Sequence, residues 1–355
     1  QQSLDADAEL LIDPNTWSDD GTVALAAYYP GPTGKHIAYL VQDGGSDWRK
    51  ARVMEVDTRK VLDDELSWLK FTSLSWAHDG SGFYYSRYPA TSEDRKFQSL
   101  NLNQAVYFHR LGTPQTEDTL VYQSAENPEW GYSATVTDDG AHLVITTWKG
   151  TDNRYQLVHQ DLTDPGASAE LLIEGFDYDY SLVGSIGRKL YFRTDNGAPR
   201  NRLIAIDVDD PDPESWEEII AEAEDVLGGV NLVGGRIIAD YMQDAQTIVK
   251  VFDLDGRQTG SVNLPGIGTA TGFAGKIDDP ETFFYYTSFN TPTMVNRLDV
   301  ETGEVTAFRK PEVDFDSDDY VVSQVFYRSK DGTRVPMFIT HHRTVELNGN
   351  NPTML

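Results

Sequence analysis

One pentapeptide, Val183-Gly184-Ser185-Ile186-Gly187, approaches the G-x-S-x-G elbow that presents a serine nucleophile on a strained strand-to-helix turn. Its first position is Val, and the strand around Leu190 follows where the elbow needs a helix. The pattern occurs nowhere else in the 355 residues, so the sequence assigns no nucleophile. The seven His residues are scattered, and only His341 and His342 are adjacent. Neighbours on a strand face opposite ways, which argues against a two-His metal site there. Asp314-Phe315-Asp316-Ser317-Asp318 starts like a calcium loop, but Asp319 stands where Gly belongs and Val325 where the bidentate Glu belongs. Asp207, Asp209, Asp210 and Asp212, interrupted by Pro211, read as a solvated surface turn. Catalytic residues, metal ligands and cofactors are therefore all read as none.

Composition narrows the partners. Lys plus Arg number 29 against 57 Asp plus Glu, a net charge of −28. That field repels nucleic acid and anionic membrane surfaces and attracts cationic peptides. With no cysteine, a disulfide framework, a thiolate metal site and a thiol nucleophile are excluded. Hydrophobic residues make up 39%, enough for a sizeable core, and no apolar run is long enough to span a membrane as a helix. Gln1-Gln2-Ser3-Leu4-Asp5 has neither a basic nor an apolar targeting region. The expectation is a soluble chain, with cytoplasm and periplasm both open.

The elements that must position any site are short strands. Aromatic or aliphatic runs alternate with turn residues, and a similar unit returns every roughly 40–50 residues, the spacing of propeller blades. His36–Val41 leads to Ala51–Asp57, Gly82–Ser86 to Ala105–His109, and His142–Thr147 to Tyr155–Leu162. Lys189–Arg193 leads to Arg202–Asp207, Arg236–Tyr241 to Ile248–Leu254, and Thr282–Thr287 to Met294–Val300. Asp-Gly turns at Ser18–Gly21, His78–Gly80 and Thr137–Gly140 are read as lying between these units, where Gly supplies positive φ. Glu9–Ile12 is read as the closing strand of an incomplete first blade with an open pairing edge. One remnant and six units make seven. Glu214–Ala221 is the best helical candidate, with an acid-led strand as the alternative. Val321–Tyr327, the Ser329–Gly332 turn and Val335–Ile339 form a hairpin outside the repeat, after which Pro352–Leu355 reads as entry to another strand.

Specific strings carry a family resemblance. Leu11-Ile12-Asp13-Pro14-Asn15, then Ser18–Leu25, Gly45-Ser46-Asp47-Trp48, Lys70-Phe71-Thr72 and Trp76–Gly80 follow one another in an order that resembles the prolyl oligopeptidases. Ser329–Ile339 is similar to the hairpin with which that family's chain re-enters its α/β-hydrolase domain. The resemblance runs end to end. A sister enzyme cleaving after Arg and Lys shares the architecture, but these strings are of the prolyl type. It implies an all-β, seven-bladed propeller at residues 1–312, with 1–20 the remnant of blade one. Residues 313–355 would begin a truncated hydrolase domain.

The resemblance also implies function. The parent would be a serine peptidase cleaving short peptides after proline, and the propeller would gate access to a triad outside this chain. This chain alone would be inactive, partnered by short proline-containing peptides and by the catalytic half. Phe71 matches a propeller residue lining the substrate pocket, and Asp47 an acid that pairs with an Arg of the catalytic domain. Gly131 and Thr151 fall where the family places Met and Cys, which implies a roomier outer pocket here. The rival reading is a free-standing, non-catalytic propeller that binds peptides or proteins.

Overall fold

The computed structural model describes residues 6–91 and 100–355; the first five residues, read above for targeting, lie outside them. Almost all regular structure is antiparallel strand. The chain divides into two compact units, Gln1–Tyr180 and Ser181–Leu355. The first carries three four-stranded sheets. These are β1 (Val23–Pro30) to β4 (Val61–Leu69) through β2 (His36–Asp43) and β3 (Arg49–Glu55); β5 (Leu74–Trp76) to β8 (Thr119–Tyr122) through β6 (Gly82–Arg87) and β7 (Ala105–Arg110); and β9 (Trp130–Val136) to β12 (Glu170–Ile173) through β10 (His142–Lys149) and β11 (Gln156–Asp161).

The second unit repeats the plan. Its sheets are β13 (Tyr180–Ile186), β14 (Lys189–Thr194), β15 (Arg202–Asp207) and β16 (Glu217–Ile220); β17 (Val226–Val233), β18 (Arg236–Gln243), β19 (Gln246–Phe252) and β20 (Gln258–Val262); and β21 (Thr269–Gly272), β22 (Glu281–Thr287), β23 (Met294–Asp299) and β24 (Val305–Arg309). A two-stranded hairpin, β25 (Tyr320–Arg328) with β26 (Arg334–His342), follows. Within every sheet each strand pairs with its sequence neighbour, which is the meander of a propeller blade.

All six expected strand pairs form, as the second and third strands of six blades. Their phase needs correcting. The Asp-Gly turns at Gly80 and Gly140 lie inside blades, joining first strand to second, while Gly21 precedes β1. In each, the Asp carboxylate accepts the backbone N–H two residues on, and the Gly takes φ between 68° and 72°. The Asp residues closing the third strands recur at 161, 207, 253 and 299, an interval of 46 each time. Each accepts a backbone N–H from the turn it opens.

One further expectation changes, and the choice left open at Glu214–Ala221 resolves to the acid-led strand. Glu9–Ile12 forms no strand, because no described strand runs beside it to supply a ladder. Leu11 and Ile12 instead pack with Trp17 against Ile37, Tyr39 and Met54, and Glu9 pairs with Arg59 at 2.6 Å. Glu214–Ala221 is no helix. Pro213–Ser215 makes one 3-10 turn capped by Asp212, and Glu217–Ile220 is an outer strand whose Glu217 and Glu218 pair with Lys189 and Arg202.

The core lies between neighbouring sheets. Leu40, Ala51, Val53 and Leu66 of the first blade meet Leu74, Phe83 and Tyr85 of the second. In the second unit, Leu203 and Ala205 face Leu227, Ile237 and Tyr241, and Val249 faces Phe273 and Phe284.

One polar network crosses a blade seam in the first unit. His109, 1% exposed, holds Asp118 Oδ1 at 2.7 Å through Nδ1 and Asp64 Oδ1 at 3.1 Å through Nε2. Asp64 also accepts the Gly112 N–H, and Tyr85 donates to Asp118 Oδ2. A carboxylate only accepts, so both ring nitrogens must donate and the imidazole is held as a cation. Burial alone would drive that proton off, but Asp118 and Asp64 outweigh it and raise the His109 pKa above its ordinary value.

A group whose folded pKa is raised contributes stability in full below its unfolded value of about 6.5 and loses it as pH rises through the folded value. His109→Gln should therefore cost about 3 kcal/mol near pH 6, since it strands two buried carboxylates. Urea denaturation of both proteins from pH 6 to 9 should show that gap shrinking toward alkaline pH. A gap that stays level or widens would contradict the imidazolium.

Candidate functional site

Of the residues the sequence singled out, Phe71 lies in the turn that follows the end of β4. Trp68 and Phe71 take left-handed φ values of 66° and 53°, each costing about 1–2 kcal/mol for a residue with a Cβ. Several hydrogen bonds over-determine the turn. The Tyr88 N–H donates to the Trp68 carbonyl at 3.1 Å, and Ser86 N–H to the Thr72 hydroxyl at 2.8 Å. Buried Gln104 does the most: its amide donates to the Lys70 carbonyl at 3.0 Å, and its oxygen accepts the Tyr132 N–H at 2.7 Å. One side chain thereby ties the Phe71 turn to β9, where Gly131 sits.

So held, Phe71 stays 48% exposed, a poor place for an ordinary core aromatic. Its ring meets the Trp148 ring edge-on at 6.3 Å between centroids. Lys70 Nζ lies 5.0 Å from the Phe71 ring centre, 5.4 Å from that of Trp48 and 3.7 Å from Asp47 Oδ2. The Asp47 contact is exposed and worth a fraction of a kcal/mol at most, so the rings matter more to Lys70.

Gly131 lies directly opposite Trp148 in the β9–β10 ladder. A Cβ built on Gly131 would stand 2.1 Å from the Trp148 ring. The space that a side chain at Gly131 would need is filled from across the strand by indole. Thr151 is on the rim, after Gly150 whose φ is 54°. Phe71, Trp148, Thr151, Tyr88 and Tyr155 line one cavity of about 570 Å³, with Glu129 and Asp152 adding charge. Arg154 clamps both oxygens of Asp152 and holds its pKa at about 2.

The structure thus brings Phe71, Gly131 and Thr151 to one aromatic wall and leaves Asp47 joined to it through Lys70. Sequence reasoning missed Trp148, Gln104, Tyr88 and Lys70 as members. Only the cross-strand register pairs Trp148 with Gly131, and a buried Gln among strands carries no motif. Such a wall can take up an apolar side chain. Elsewhere, the loop likened to a calcium site uses Asp316 to cap a 3-10 turn at the Asp318 N–H. His341 and His342 fall on one strand, whereas His142 and His159 are brought within 2.9 Å by the sheet. Ser185 lies within β13, with no helix after it.

Repeated four-stranded meanders with their core between sheets define a β-propeller. The family described as prolyl oligopeptidase, N-terminal β-propeller domain, matches residues 1–311. Over 347 residues the chain is 36% identical to the prolyl endopeptidase of Elizabethkingia meningoseptica, covering 98% of this chain and 49% of that one. It is 30% identical to prolyl oligopeptidase A of Amanita bisporigera, again covering 49% of the relative. A prolyl endopeptidase structure superposes with TM-score 0.85 at 37% identity, covering 95% of this chain and 48% of the other. Apo prolyl oligopeptidase B from Galerina marginata superposes with TM-score 0.85 at 29% identity, covering 94% of this chain and 49% of that one. This chain belongs to the prolyl oligopeptidase family, matching its N-terminal β-propeller domain, and spans about half the length of these relatives. No helix among the described residues is long and apolar enough to cross a membrane.

The Gly131–Trp148 fit makes a sharp test. Gly131→Ala should cost about 1–3 kcal/mol, because the indole must leave its place. Combined with Trp148→Ala, the same change should cost far less. Additive costs in that double-mutant cycle would mean the two positions do not share the space.

Proposed function

We propose that this chain is the substrate-facing propeller of a prolyl-specific serine endopeptidase. Residues 1–312 would form the propeller and 313–355 the start of the α/β-hydrolase half, which supplies Ser, His and Asp. In that scheme Ser attacks the proline carbonyl and the next residue's amine leaves, His moves the proton and Asp orients His. The propeller caps the site, so that short or unstructured peptides reach the nucleophile and folded proteins do not. The observation that carries the reading is the aromatic cavity of about 570 Å³ in which a strained, half-exposed Phe71 faces Trp148. A backbone held in an unfavourable conformation to keep an aromatic in solvent is what a binding wall needs and a blade core does not. Family membership supplies the chemistry the wall would serve. Asp47 is assigned to the partner half, where an Arg would meet its exposed carboxylate; Thr151 and Gly131 with Trp148 shape the outer pocket.

In the parent protein, Phe71→Ala should lower kcat/KM for a short Gly-Pro reporter by roughly tenfold, the burial of part of one aromatic ring. An unchanged kcat/KM would remove Phe71 from the substrate wall. The purified 355-residue chain should not cleave the reporter at all. Cleavage that persists through repurification would overturn the assignment of the triad to the other half and favour an active centre in this one.

A further inference from the structure

The cavity beside Phe71 carries four aromatic side chains, and among the described residues its charged lining is of one sign: Glu129 and Asp152, with no Lys or Arg. The two acids differ in what they can still bind. Both Asp152 oxygens are taken by the Arg154 guanidinium. Glu129 is exposed and makes no ion pair or hydrogen bond among the described residues.

Two cations held against aromatic rings of this region are otherwise engaged. Lys149 is one residue past Trp148, opposite Trp130 in the ladder. It lays its ammonium on Phe176 at 3.8 Å and on Trp130 at 5.3 Å from the ring centres. Lys70, with only 15% of its side chain exposed, is shared between Asp47 and the faces of Trp48 and Phe71. Among the described residues, the cavity therefore presents an unpaired carboxylate beside aromatic faces, which themselves attract cations.

We propose that Glu129 makes this cavity select peptides that carry a positive charge next to an apolar residue. The apolar side chain packs on the wall that Phe71 and Trp148 form together, and the ammonium or guanidinium meets Glu129. The chain's net charge of −28 steers such peptides toward the site. This assignment rests on the reading of the cavity as peptide-facing and adds to it a substrate class. A lysine or arginine side chain and a free N-terminus offer the same cation, and the two are separable by acetylation.

The test is a set of dissociation constants for the 355-residue chain, read from tryptophan fluorescence at low salt. The probes are acetyl-Lys-Leu-Pro-amide, acetyl-norleucine-Leu-Pro-amide and norleucine-Leu-Pro-amide with a free N-terminus. At least one cationic peptide should bind about fivefold tighter than the acetylated norleucine peptide, the size of one partly exposed charge pair. Which of the two does so identifies the source of the cation. Glu129→Gln should bring that ratio to about one, as should high salt. Glu301→Gln, which removes the same charge from an exposed turn of the other unit, should preserve it. A ratio that survives in Glu129→Gln, or a ratio of one in the unaltered chain while the neutral peptide still binds, overturns the selectivity alone. If none of the peptides binds, the peptide-facing reading of the cavity falls with it.

Discussion

Burial of both faces of inner strands such as β2 is the constraint on which the rest of the structure depends. A middle strand such as β2 sends Ala38 and Leu40 toward the next blade and Ile37 and Tyr39 the other way, and all four are buried. Such a strand cannot alternate apolar with polar residues, so it reads as a continuous apolar run. Any polar group caught in a seam must find its partner in the seam, since no water can replace it. His109 between Asp64 and Asp118, and Gln104 between Lys70 and Tyr132, are two answers to that demand. The first joins blades through charge. The second joins them through an amide that fits one donor and one acceptor, and it is the one that fixes the Phe71 turn.

The same constraint explains what could be read from the sequence. The second and third strands were legible because both their faces are buried and their runs are unbroken, as in His142–Thr147 and Arg236–Tyr241. The first and fourth strands were not. β5 has three residues, and outer strands such as Glu217–Ile220 are half solvated and acidic, so they resemble turns or helix starts. Omitting them shifted the blade boundary by one strand and placed the Asp-Gly hairpins between blades. The register shift between third and fourth strand, present in all six blades, left no trace either. A bulge is one extra residue and has no composition of its own, yet it adds the twist that the outer strand of a blade carries.

At the candidate site the split is similar. Phe71 and Asp47 were found only because short strings around them resemble a family; nothing in Lys70-Phe71-Thr72 announces a left-handed Phe. Gly131 and Thr151 were singled out only through the same resemblance, and the space around Gly131 could not be read from it. The reason is physical. Pocket volume depends on what lies across the ladder, and Trp148 reaches Gly131 through a pairing that no local pattern reveals.

That exchange bears on how such a wall keeps its shape. If a bulky side chain at position 131 were the only filler, its loss would open a void, and a void beside a strained turn would let Phe71 relax toward the core. With the indole supplied from β10, the ring that fills the gap is also the ring that meets Phe71 edge-on, so filling and positioning reside in one residue. Gln104 holds the same two segments from beneath through its amide. Two independent ties between the Phe71 turn and β9–β10 leave the turn little freedom to give up its unfavourable φ. With glycine at position 131, the indole alone therefore completes this part of the aromatic wall.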